Sequence, residues 1–143
     1  MLASTPPTQG KIITIVGCTA SGKTALAMEL ARRYQAIILC ADSRTIYREM
    51  DIGTAKPTDK ERHEIEHYGL DLISPSEQYS AFQFQHYAQQ VMLEAMRKNR
   101  CIVMVGGSGM YIDAVLFDYH FRDKKVPAED FSGLRRDELV KRA

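Results

Sequence analysis

A chain of 143 residues with 45% hydrophobic content can close one domain around a sizeable core and calls for no second one. Its 19 lysines and arginines stand against 18 acidic residues, a near balance that excludes whole-chain electrostatic capture of nucleic acid and leaves only a local basic patch open. No apolar run approaches the roughly 20 residues of a membrane span. Residues 1–10 lack the basic and apolar regions of a leader, and Cys18, Cys40 and Cys101 lie too far apart for a zinc site or a disulfide framework, so a reduced, cytoplasmic protein is expected.

Residues 1–10 (MLASTPPTQG) read as a disordered lead-in. Ile12, Ile13, Ile15 and Val16 form a short apolar run that suits a strand buried on both faces of a parallel sheet. Ala25, Leu26, Met28, Leu30 and Ala31 predict a helix over residues 22–34, with Arg32 and Arg33 at the end where the dipole favours cations. Ala36 to Cys40 is the next strand, and strand, loop, helix, strand makes a right-handed crossover unit the expected arrangement. From Asp42 to Asp59 the pattern dissolves into polar sequence broken by Gly53 and Pro57, which reads as a functional loop region.

Lys60 to Glu66 is charged apart from Ile65 and reads as a solvated surface turn of helix. His67 to Ile73 predicts a third strand, closed by the Ser74 and Pro75 turn signal. Ser80 is a suitable N-cap for a long helix carrying Phe82, Phe84, Tyr87, Ala88, Val91, Met92 and Ala95, ended by Asn99 and Arg100. Cys101 to Val105 is a further buried strand, followed by Gly106 and Gly107 and a helix from Ser108 to Leu116. Residues 118–143 mix charges of both signs and read as a solvated tail.

Gly17, Cys18, Thr19, Ala20, Ser21, Gly22, Lys23 and Thr24 spell G-x-x-x-x-G-K-[ST] between the first strand and the first helix, where a phosphate-binding loop must lie. The glycines let backbone N–H groups turn toward phosphate oxygens, the helix N-terminus adds positive potential, Lys23 supplies a point charge, and the Thr24 hydroxyl suits Mg²⁺. The fold expected is therefore a P-loop α/β protein, a parallel sheet flanked by helices, with residues 11–117 as its core. Such a loop fixes a polyphosphate without saying which bond breaks. The usual metal-holding aspartate at the end of another buried strand is missing from the strand at Cys101 to Val105, which runs into Gly106 and Gly107.

After the second strand comes Asp42-Ser43-Arg44-Thr45-Ile46-Tyr47-Arg48, then Met50-Asp51-Ile52-Gly53-Thr54-Ala55-Lys56-Pro57. With GCTASGKT, HYGLDLISPSEQYSAFQF and GGSGMY, these stretches make residues 11–117 resemble the tRNA dimethylallyltransferase family. The resemblance implies transfer of the dimethylallyl group of dimethylallyl diphosphate to the exocyclic N6 amine of the adenosine 3′-adjacent to the tRNA anticodon. It implies that Thr19, Lys23 and Thr24 hold the diphosphate and its Mg²⁺, and that Asp42 takes the proton from the attacking amine. It also implies that Ser43, Arg44 and Thr45 touch tRNA, while Ser108 and Tyr111 line the channel for a flipped-out base.

The sequence departs from the family pattern at Cys18, usually proline, and at Ser108, usually threonine. Family members also continue well past this length, with an inserted helical tRNA-binding region and a later arginine-rich segment. The tail from 118 thus reads as the start of such a region or as the end of a short form. Three rivals stand beside this reading: a small nucleoside or metabolite kinase using Mg-ATP, an adenylate isopentenyltransferase acting on a free nucleotide, and a non-enzymatic module that binds the donor alone.

Overall fold

The computed structural model describes residues 10–121. The expected lead-in, apart from Gly10, and the charged tail beyond residue 121 lie outside the described residues. In chain order the elements are β1 Ile12–Val16, α1 Lys23–Tyr34, β2 Ile37–Cys40, α2 Asp59–Glu64, β3 His67–Tyr68, α3 Ala81–Arg97, β4 Ile102–Gly106 and α4 Gly109–Leu116. The strands form one parallel sheet in the order β1-β4-β2-β3. β1 and β2 follow one another in sequence yet do not touch as neighbours, because β4 lies between them, pairing Ile102 with Ile12 on one side and with Ile37 on the other.

Burial explains the order. Along β2 and β4 alternate residues feed two different cores: Ile37, Leu39, Ile102 and Met104 pack with α3 and α4, whereas Ile38, Cys40, Val103 and Val105 pack with α1. A strand that must be apolar on both faces reads as a continuous apolar run, and the two central strands, β2 and β4, are both written so and buried throughout. The expectation that β1 is buried on both faces is corrected: it sits at the edge of the described sheet, its residues only half-buried and Val16 exposed, because only β4 pairs with it.

α1 turns Ala27, Met28 and Ala31 to the sheet and ends at Gln35, which takes a left-handed conformation and bonds back to the Ala31 carbonyl. α2 begins at a capping box in which the Thr58 hydroxyl accepts from Glu61 N–H and the Glu61 carboxylate accepts from Thr58 N–H. α3 begins at the expected N-cap Ser80, which forms a capping box with Gln83. Its buried face is Ala81, Phe84, Gln85, Ala88, Val91 and Ala95; Phe82, expected inside, is 48% exposed because it falls on the other side of the 3.6-residue turn.

The expected third strand, His67 to Ile73, is corrected to two residues. Gly69 and Asp71 both take positive φ, 80° and 54°, which ends the extended run at Tyr68. The chain then pairs with residues after β2 instead: Asp71 N–H donates to the Thr45 carbonyl at 3.1 Å and Ile73 N–H to that of Ile46 at 3.1 Å. Among the described residues no helix is long and apolar enough to cross a membrane.

Candidate active site

The C-terminal ends of β1, β2 and β4 open into one cleft of about 500 Å³. Its first wall is the loop after β1. Ala20 and Gly22 have φ of 62° and 84°, and left-handed residues in a loop can turn successive N–H groups to one side, the kind of concavity that suits an anion. α1 starts at the loop's far end with no acidic residue in its first turn and no side-chain cap, so its leading N–H groups add positive potential there. Lys23 Nζ donates to the Cys18 carbonyl at 2.5 Å, which folds the ammonium back over the loop, and Thr24 is exposed.

The second wall is the turn after β2. Asp42 Oδ1 accepts from Arg44 N–H at 2.9 Å, and the Thr45 hydroxyl donates to the Asp42 carbonyl at 3.2 Å, so a side-chain turn fixes the carboxylate. Its other oxygen, Oδ2, faces Gly107, 3.7 Å from where a Cβ on that glycine would sit. Two glycines make room for this backbone from either side. A Cβ on Gly106 would stand 2.0 Å from the Ala41 carbonyl oxygen, and one on Gly69 would stand 2.2 Å from that of Cys40. The carboxylate at this end of the sheet thus follows β2 rather than β4, and Gly106 at the end of β4 and Gly69 after β3 leave room for the backbone that leads to it.

Ser108, the residue before α4, accepts from Ser43 N–H at 2.8 Å and donates to the Ser43 hydroxyl at 3.1 Å, closing the cleft between β2 and β4. Thr19, Ala20, Ser21, Gly22, Lys23 and Thr24 line the cleft together with Asp42, Ser43, Arg44, Thr45 and Ser108. Gly17 and Cys18 shape the loop from outside the lining. Tyr111 is not brought to the cleft: it is buried in the core between α3 and α4, stacked on Phe84 at 4.3 Å, with its hydroxyl directed to the Tyr79 carbonyl at 3.5 Å. Burial, with Tyr47, Tyr79 and Asp42 nearby, pushes this phenol up to about 12 and keeps it neutral.

The third wall was not resolved from sequence. It consists of Gly53, Thr54, Ala55 and Pro57, with His67 from the start of β3. The sequence signals were the breakdown of periodicity from Asp42 to Asp59 and the family-like stretch Met50 to Pro57, to which the resemblance attached no site role; the fold of that stretch back toward the loop is a tertiary fact. His67 donates from Nδ1 to the Ile65 carbonyl at 2.6 Å, which leaves Nε2 as the acceptor in the neutral ring. Burial lowers its proton affinity below the ordinary value of 6.5.

The unfolded chain therefore binds a proton at His67 more readily than the folded one. Stability from this residue is complete above 6.5 and is lost as pH falls through that value toward the lower folded one. Asp71 and Glu61, held low by their hydrogen bonds and nearby cations, lose their contributions only further down, as pH falls from the usual carboxylate range through their lowered values. Urea unfolding between pH 7 and 5 should show a decline that His67→Asn flattens; an unchanged slope in the variant would assign the decline elsewhere.

Residues 45–142 match the family model described as IPP transferase. The tRNA dimethylallyltransferase of Staphylococcus saprophyticus is 41% identical over 115 residues, a stretch covering 80% of this chain and 36% of that protein. The solved tRNA isopentenylpyrophosphate transferase of Bacillus halodurans superposes with a TM-score of 0.77 at 37% identity, over 93% of this chain and 42% of that one. A eukaryotic dimethylallyltransferase captured acting on tRNA gives 0.74 at 26% identity, over 90% and 31%. The chain thus spans little more than a third of the curated relative's length. A parallel sheet bearing a phosphate loop, and a family model matched over most of the sequence, lead to one assignment: this chain belongs to the IPP transferase family.

Proposed function

We propose that this chain carries the donor site and chemical centre of an enzyme that moves a dimethylallyl group from dimethylallyl diphosphate to the exocyclic N6 amine of the adenosine 3′-adjacent to the anticodon of a tRNA. The observation that carries this reading is the Asp42 carboxylate standing across one cleft from the phosphate loop, with one oxygen committed to Arg44 N–H and the other facing open space beside Gly107. The names of the relatives supply the donor and acceptor classes.

In this reading the diphosphate sits in the concavity of residues 17–24. The amine lone pair attacks the first carbon of the dimethylallyl group, the carbon–oxygen bond breaks, and its electrons leave with the diphosphate. Loop N–H groups and Lys23 stabilise the charge that collects on the leaving group, and Thr19 stands in the same loop to orient it. The amine proton passes to Asp42 Oδ2, which removes the positive charge the attack creates on nitrogen. An aromatic amine is a weak nucleophile, so holding it in line matters as much as removing its proton.

Thr24 fits Mg²⁺: its hydroxyl is exposed at the start of α1, and Mg²⁺ ordinarily takes its other ligands from phosphate oxygens and water rather than from a protein cage. When bound, the ion neutralises diphosphate charge. Ser43, Arg44 and Thr45 form the rim toward tRNA, and Ser108 the side of the base channel. Tyr111 supports this arrangement from within the core, by fixing the helix that follows Ser108. The enzyme would work in the cytoplasm, where its tRNA substrate is.

Calorimetric titration with dimethylallyl diphosphate and Mg²⁺, beside ATP and Mg²⁺, tests the reading. The prenyl donor should bind and ATP should not, and Lys23→Ala should weaken donor binding about ten- to a hundredfold, the worth of roughly 1.5–3 kcal/mol for a hydrogen bond to a charged group. Binding of ATP alone would leave a kinase. Donor binding with no label passed to an anticodon stem–loop would leave a donor-binding module.

A further inference from the structure

Lys56 lies in the segment that forms the third wall without lining the cleft itself, and a lysine in a wall opposite a phosphate loop invites assignment as a second phosphate ligand. Its geometry says otherwise. The side chain is 3% exposed, and its ammonium donates to the Tyr47 carbonyl, Asp51 Oδ1 and Asp71 Oδ1, each at 2.7 Å. An ammonium has three donors, and all are spent inside the protein. Asp71 is fixed in turn by Arg62, whose Nη1 donates to Oδ2 at 2.6 Å and whose Nε donates to the Pro57 carbonyl at 3.1 Å.

The effect on the cleft wall is chemical as well as mechanical. The Thr54 hydroxyl is also spent, donating to the Met50 carbonyl at 2.6 Å. Gly53 and Ala55 are held at φ of 76° and 54°, and a left-handed alanine persists only where its surroundings enforce it. With Lys56 turned inward and the Thr54 hydroxyl occupied, what residues 53–57 offer the cleft beside His67 is a glycine, a threonine with no free hydroxyl proton, an alanine and a proline. Such a surface, facing a loop that binds phosphate, suits the hydrocarbon end of a diphosphate ester.

We propose that Lys56 is a positioning residue that sets substrate specificity: by knotting residues 47, 51 and 71 together it holds residues 53–57 as an apolar wall against the organic group of the donor. The proposal rests on the donor reading above and adds which part of the chain selects the prenyl group. The Lys56 ammonium touches neither diphosphate nor acceptor.

The full chain, Lys56→Met and Asp51→Asn are titrated in the presence of Mg²⁺ with inorganic pyrophosphate and with dimethylallyl diphosphate. Pyrophosphate reports the phosphate loop alone; the difference between the two ligands reports the wall. Lys56→Met should weaken dimethylallyl diphosphate by about tenfold or more, the scale of a misfitted hydrocarbon pocket, while pyrophosphate stays within about twofold. Asp51→Asn, at an exposed carboxylate, should lose prenyl preference by a smaller factor in the same pattern, and it decides the matter should Lys56→Met fail to fold.

Equal losses on both ligands in Asp51→Asn would mean a purely structural knot and overturn the proposal, as would an unchanged prenyl preference in both variants. A parent chain that binds pyrophosphate with no preference for the prenyl ester overturns the donor reading itself, a result separable from the others because it needs no variant.

Discussion

Asp42→Asn is expected to lower the rate of prenyl transfer by about 10²–10⁴-fold, the usual worth of a positioned general base, with donor affinity changed by less than about twofold. Asparagine keeps the volume of the side chain and the oxygen that accepts from Arg44 N–H, so the turn at residues 42–45 survives. It loses only the oxygen facing Gly107 that can take a proton. Asp42→Ala removes both functions and should cost more, since it also frees the turn. Single-turnover transfer of labelled dimethylallyl to an anticodon stem–loop separates the two, and a rate unaffected by Asp42→Asn would move the base elsewhere in the cleft.

Gly106→Ala should be severely damaging. The added methyl would stand 2.0 Å from the Ala41 carbonyl oxygen and 3.0 Å from the Ala41 Cα, both backbone atoms of the central strand pair, so relief requires β2 and β4 to separate. A loss of roughly 3 kcal/mol or more is expected, at the upper end of overpacking costs, and with it the placement of Asp42. Gly107→Ala is the informative neighbour. Its Cβ would make ordinary contacts, 3.6 Å from the Gly17 carbonyl oxygen and 3.7 Å from Asp42 Oδ2, so stability should change by less than about 0.5 kcal/mol while transfer falls because the methyl occupies space beside the base. Denaturant midpoints for both variants check this; equal stability would show that the two strands can part at little cost.

Both expectations follow from one feature of the fold. The Asp42 carboxylate follows a strand whose neighbours on either side, β4 and the segment after β3, each bring a glycine against the backbone before it, Gly106 against Ala41 and Gly69 against Cys40. Neither glycine announces this in the sequence. Gly106 looks like the end of a buried strand, and Gly69 lies inside a run that reads as a strand of its own. Their purpose appears only when the Ala41 and Cys40 carbonyls are found beside them.

What the sequence by itself determined is whatever depends on near neighbours. Periodicity and capping located β1, α1, β2, α3, β4 and α4 to within a residue or two, because apolar runs, helical periodicity and N-cap chemistry are written into adjacent positions. The spacing of Gly17, Gly22, Lys23 and Thr24 identified the phosphate loop, since loop, strand end and helix start are continuous in the chain. The tertiary structure decided the rest. The position of β4 between β1 and β2 depends on which strands are apolar on both faces at once. The shortening of β3 depends on Gly69 meeting Cys40, and Tyr111 left the cleft because Phe84, 27 positions earlier, offered its ring a buried partner. The wall at 53–57 took shape because Lys56 found Asp71 and spent its charge there, a pairing of residues distant in sequence that no local pattern encodes.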